Sequence, residues 1–85
     1  MHYVYVLKSQ KSLKLYSGST SDLKARIIEH NKGLNRSTKY GIPWKLVYYE
    51  AFLNKSDATE REASLKQGSS TIGHLKKRIK NSLIE

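Results

Sequence analysis

Aromatic and β-branched residues alternate through His2-Tyr3-Val4-Tyr5-Val6-Leu7-Lys8, the spacing of a pleated strand, with Tyr3, Tyr5 and Leu7 on one face and Val4 and Val6 on the other. Residues 9–13 are polar, with Lys8, Lys11 and Lys14 around them, and suit a hairpin connection into a second short strand over residues 14–17, which Gly18 ends. The oxygens of Ser19, Thr20, Ser21 and Asp22 then offer N-caps. Leu23, Ile27 and Ile28 follow at helical spacing as far as a basic last turn and Gly33, predicting a helix of about three turns. Residues 34–42 are polar and basic. Pro43 leads into Trp44-Lys45-Leu46-Val47-Tyr48-Tyr49-Glu50-Ala51-Phe52, the clearest strand in the chain. Asn54 and Ser56 cap a second helix over residues 57–67, with Ala58 and Leu65 facing inward, and Gly68 ends it. Residues 71–83 read as a third, amphipathic helix with Ile72, Leu75, Ile79 and Leu83 on one stripe and the basic residues mostly off it. The order is β-β-α-β-α-α, with no repeat, linker or low-complexity tract, so residues 1–85 are expected to form one α/β domain.

Composition narrows what such a domain does. Eighty-five residues at 38% hydrophobic content exclude a two-domain enzyme with a separate cofactor module. Sixteen Lys and Arg against seven Asp and Glu give a net charge of +9, a large positive field for a small surface, and make polyanions the leading partners. With no cysteine there is no disulfide framework, no zinc finger and no thiol nucleophile. No apolar run approaches the ~18 residues of a membrane span. Met1 is followed by a strand-like segment and not by an apolar signal region, so a soluble cytoplasmic protein with no membrane partner is expected.

Three features go beyond what a fold alone asks for. Asp22, Arg26 and His30 recur at i, i+4 and i+8, along one side of the first helix. An Arg and a His one turn apart can converge on a single anion, the one with a donor fork that matches phosphate oxygens, the other with a proton it can exchange near neutral pH. The plain alternative is an exposed helix face with an Asp22–Arg26 pair. Glu62 falls between Ala58 and Leu65, where the second helix should present an apolar side chain. It is either a marginal surface glutamate paired with Lys66 or a ligand for a hard divalent cation, since Mg²⁺ often takes only one or two protein carboxylates. Six of the eight aromatic residues are Tyr, and two adjacent strands would bring Tyr5 and Tyr16 together, either as half-buried packing or, beside an arginine or a metal, as a proton acceptor.

The segments Tyr3-Val4-Tyr5-Val6-Leu7, Leu15-Tyr16-Ser17-Gly18-Ser19-Thr20, Leu23-Lys24-Ala25-Arg26 with Glu29-His30-Asn31, Pro43 to Glu50, and residues 58–66 with Arg61-Glu62 together resemble the GIY-YIG endonuclease superfamily. More narrowly, the chain is similar to the small stand-alone bacterial GIY-YIG proteins, over nearly its whole length. The resemblance implies a three-stranded antiparallel sheet flanked by three helices and an endonuclease hydrolysing phosphodiester bonds in DNA, structure-selective or weakly sequence-specific, in repair or recombination. It implies that Tyr5 and Tyr16 are the pair from which the base activating water is drawn, that Arg26 positions the scissile phosphate, that His30 assists proton transfer, and that Glu62 ligates Mg²⁺ or Mn²⁺. It also implies DNA, with RNA as an alternative, as partner, an association with the nucleoid and a place in a larger repair complex. The other reading it leaves is a catalytically weak or inactive nucleic-acid-binding module with the same basic face. The first motif lacks its usual glycine, Ser17 replaces an isoleucine, and Ser19 stands where some relatives carry a lysine. Backbone contacts are therefore expected from Lys14, Lys39 and Lys45.

Overall fold

In the computed structural model, which describes residues 1–85 apart from the side chain of Ser69, β1 (His2–Ser9) runs between β2 (Leu15–Thr20) and β3 (Trp44–Phe52) in a three-stranded antiparallel sheet. A central strand has two faces to bury, and the period-two pattern of β1 supplies both. Val4 and Val6 join Ala58, Leu65 and Leu75 in one core, under α2 (Lys55–Gln67) and α3 (Ser69–Arg78). Tyr5, Leu7 and Trp44 make the other, closed by Leu23 and Ile27 of α1 (Leu23–Asn31) together with Tyr16, Ile42 and Leu46. A register shift between Val6 and Leu7 interrupts the β1–β3 ladder. A 3-10 turn, Lys39–Gly41, precedes β3, and α4 (Lys80–Leu83) follows α3. The expected α/β architecture is the observed one.

Four local expectations are corrected. β2 runs to Thr20, straight through Gly18, which pairs with Tyr5 instead of ending the strand. A Cβ at Gly18 would collide with the Tyr5 hydroxyl, so the glycine is there for a close approach and not as a stop. The second helix begins two residues before its expected start, because Asn54 alone caps it, its side chain accepting from Ser56 N at 2.8 Å. The third helix is two: Ile79 leaves helical geometry at φ −111°, ψ 24°, and α4 turns back to the sheet, where the Lys8 ammonium hydrogen-bonds the Leu83 carbonyl. Asp22 does not pair with Arg26. Its carboxylate caps α1, accepting from Ala25 N at 3.1 Å, and Arg26 pairs instead with Glu29 at 2.8 Å.

The hairpin is organised by the buried Ser9. Its hydroxyl accepts from the amides of Lys11 and Ser12 and donates to the Gly41 carbonyl at 2.6 Å, which ties the β1–β2 loop to the 3-10 turn. Asn31 does the same for α1 and β3. Its amide donates to Trp44 O at 3.0 Å and its carbonyl accepts from Trp44 N at 2.7 Å, substituting for a neighbouring strand. No helix of the described residues is long and apolar enough to cross a membrane.

Candidate active site

Tyr5 projects from the middle of β1 toward α1, and its ring is almost wholly buried. Its hydroxyl lies 2.7 Å from His30 Nε2, and His30 Nδ1 lies 2.8 Å from Thr38 Oγ1. His30 and Thr38 are 0% exposed, so the three side chains form a hydrogen-bonded row inside the protein. The Tyr16 ring packs on the same imidazole, with centroids 5.2 Å apart, and on Tyr5 at 6.5 Å. Burial sets the acidities here. It pushes the Tyr5 phenol above its ordinary value, against the pull of the facing Arg26 guanidinium. It also lowers His30, with the Arg26 charge acting in the same direction. Arg26, one turn before His30, is half-buried at the mouth of this row and is held charged first by Glu29 and then by Tyr5.

Glu62 comes to the site from the opposite face of the sheet, on α2. The Ser19 hydroxyl donates to its Oε1 at 2.6 Å, and the Lys66 ammonium lies 2.9 Å from Oε2. Burial works to raise this carboxyl, and the two donors outweigh it, leaving Glu62 below the usual carboxylate range. The ion pair with Lys66, one of the two readings of the sequence, is thus formed. Its ammonium also sits 5.2 Å from the centre of the Tyr16 ring, a cation–π distance that links Glu62 to the tyrosine row. The expected groove is therefore differently built: Tyr16, Arg26 and Glu62 are half-exposed around β2, at one edge of the sheet, while Tyr5 and His30 lie beneath them.

The family model of the GIY-YIG catalytic domain matches residues 1–78. The chain belongs to the GIY-YIG family. Relatives include a UPF0213 protein of Staphylococcus saprophyticus, 44% identical over 66 residues (76% of this chain, 79% of that one), and one of Clostridium perfringens, 46% identical over 68 residues (79% and 72%). A solution NMR structure of a UPF0213 protein from Bacillus halodurans superposes with a TM-score of 0.55 at 32% identity, covering 87% of this chain and 79% of that one. GIY-YIG domains form a nuclease-type family.

A metal fits this GIY-YIG site in a limited way. Among the described residues no three His, Cys, Asp or Glu side chains cluster, and the groups bonded to Glu62 are the Ser19 hydroxyl and the Lys66 ammonium. The hard oxygens of Glu62 suit a divalent cation that keeps most of its water, and the Lys66 ammonium already occupies Oε2 as a cation. Lys14 lines a groove of about 820 Å³ beside Tyr16, with Lys8, Lys66 and Lys76 around an apolar floor that includes Leu15 and Leu65. Lys39 is next to Thr38 on the 3-10 turn, its ammonium 5.0 Å from the Tyr40 ring. Lys45 is turned to the C-terminal end, donating to the Glu85 carbonyl at 3.1 Å. The residues that sequence reasoning missed are Ser19, which orients Glu62, Glu29, which orients Arg26, and Thr38. Ser19 and Thr38 reach partners supplied by other elements, while Glu29 and Arg26 are an i,i+3 pair on α1 that helical spacing could have found.

Proposed function

We propose that this GIY-YIG protein is a divalent-metal-dependent endonuclease that hydrolyses phosphodiester bonds in DNA, structure-selective or weakly sequence-specific, in repair or recombination. The observation that carries the reading is the convergence around β2, with Arg26, Tyr5 and His30 on one side, Glu62 on the other and Tyr16 between them. In-line attack on a phosphodiester needs an activated water, relief of the charge that grows on the phosphoryl oxygens, and help for the departing oxygen. The Arg26 fork matches two phosphoryl oxygens, and its contact with Glu29 fixes its direction. Tyr16 and Tyr5 are the proton acceptors for the attacking water, and Tyr5 is the one with a route onward to His30. Glu62 would hold Mg²⁺ or Mn²⁺, which when bound supplies Lewis-acid polarisation of a phosphate oxygen. The lysine-lined groove gives the DNA backbone a place to lie without reading its sequence.

One observation favours a second reading. The Lys66–Glu62 pair leaves the carboxylate with a cation of its own, as in a nucleic-acid-binding module of low turnover acting on DNA or RNA. A panel of labelled nicked, branched, flapped and single-stranded DNAs, with RNA counterparts, separates the two when incubated with and without Mg²⁺ or Mn²⁺. The nuclease is expected to cut at least one substrate only with metal. Glu62→Gln should lower that cleavage by about 10²-fold or more while leaving binding within a few-fold. Wild-type protein that binds the panel and cuts none of it with either metal overturns the nuclease in favour of the module.

A further inference from the structure

Thr38 is a fully buried hydroxyl in a polar loop, and its partner is the imidazole that the proposed chemistry uses. The row Tyr5–His30–Thr38 contains three mobile hydrogens, and their acceptors decide how they are arranged. If His30 carries its hydrogen on Nδ1, that N–H donates to Thr38 Oγ1, the Thr38 hydroxyl donates to the Asn35 carbonyl at 3.4 Å, and the Tyr5 hydroxyl donates to the free Nε2. Every hydrogen then has an acceptor. If His30 carries it on Nε2 instead, Nε2–H donates to Tyr5 and Thr38 donates to Nδ1. The buried phenol hydrogen is then left with no acceptor among the described hydrogen bonds, and an unpaired buried donor is costly. Both arrangements give every buried nitrogen and oxygen of the row a partner, and only the first also gives the phenol hydrogen an acceptor.

We propose that Thr38 is a positioning residue that fixes His30 in the Nδ1–H tautomer, so that Nε2 receives the Tyr5 hydrogen. This rests on the nuclease reading for its purpose but not for its geometry. When a proton reaches Tyr5 Oη from the side on which Arg26 lies, the phenol's own hydrogen passes to Nε2. The bond Oη–H breaks, Nε2–H forms, and the resulting imidazolium donates from both nitrogens, to Tyr5 and to Thr38. Tyr5 ends the step as neutral as it began, and the charge rests on His30. The other groups around the imidazole are the Tyr16 ring from β2 and Arg26 and Glu29 from α1. Lowering of the His30 proton affinity by burial keeps the acceptor nitrogen free in the resting protein.

Long-range ¹H–¹⁵N correlation spectra of uniformly labelled wild-type protein at pH 7.5 read the tautomer directly, without substrate or metal. The Nδ1–H pattern is expected for His30 in the wild type and in Thr38→Ser, and a loss of that preference in Thr38→Val, which keeps the shape and removes the hydroxyl. In the cleavage assay Thr38→Ser should retain most of kcat. Thr38→Val should lose about 10-fold or more, in line with a weakened general-base step, with KM unchanged. An Nε2–H pattern in the wild type overturns the assignment even if no variant folds, and so does a Thr38→Val spectrum that matches the wild type. Equal kcat in Thr38→Val and wild type overturns the positioning role. Wild-type protein that shows the Nδ1–H pattern but cuts nothing overturns the nuclease reading and leaves the tautomer assignment standing.

Discussion

An imidazole is tolerated at zero exposure only where both ring nitrogens have partners, and His30 has Tyr5 on one side and Thr38 on the other. The burial that keeps it neutral has a consequence for stability. The proton affinity of His30 is lowered on folding, so below its ordinary value of about 6.5 the unfolded chain binds more protons than the folded one. The stabilisation from neutral His30 is therefore complete above that pH and is lost as the pH falls through it toward the lowered folded value. Urea midpoints should drop between pH 7.5 and pH 5, and in His30→Gln that drop should be much smaller, from a lower starting stability. The held-down carboxyls of Glu50 and Glu62 add a further loss at more acid pH, which both proteins should share. Gly18 belongs to the same account. It is the residue opposite Tyr5 on β2, and only hydrogen fits between that backbone and the phenol oxygen.

At the scale of elements, α1 does the positioning, since Arg26 and His30 are successive turns of one nine-residue helix. Its first turn hangs on Asp22, whose carboxylate accepts from Ala25 N and whose carbonyl accepts from Arg26 N at 3.0 Å. Asp22→Ala should cost about 1 kcal/mol, read as a lowered thermal midpoint. Amide exchange should speed up at Ala25 and Arg26 and much less at His30, two turns from the cap. The cap, the helix and both long strands were legible in the sequence, because each rests on a period or on a residue type with few uses, whereas the grouping of Tyr5, Tyr16, Arg26, His30 and Glu62 came from the family resemblance. What was not legible has physical causes. The apolar stripe Ile72, Leu75, Ile79 and Leu83 continues at helical spacing through the α3–α4 break, so no change of pattern marks Ile79. Gly18 has the same letter whether it stops a strand or admits a neighbouring ring. Ser9, Asn31 and Thr38 act through hydrogen bonds to Gly41, Trp44 and His30 on other elements, which leave no trace in local pattern.

The charge of the whole molecule is unevenly engaged. Lys66 and Arg61 are paired with carboxylates, and Lys45 is turned to the Glu85 carbonyl, while Lys14 and Lys76 face the groove beside Tyr16. If the groove carries the nucleic-acid backbone, log affinity should fall linearly with log salt, with a slope set by the number of phosphates neutralised. Lys14→Ala should reduce that slope by about one, and Lys45→Ala should change it less, as fluorescence anisotropy titrations at several salt concentrations would register. The position of β2 at the sheet margin adds something of a different kind. A margin strand is a template for a further strand, about 4.8 Å away in the plane of the sheet. Here that plane passes between the guanidinium on one side and the Glu62 carboxylate on the other. On the nuclease reading, any extended segment that docked there, from a second copy or another protein, would occupy the ground proposed for the phosphodiester. It would block the proposed activity by occlusion alone, with no rearrangement of Arg26, Tyr5 or Glu62.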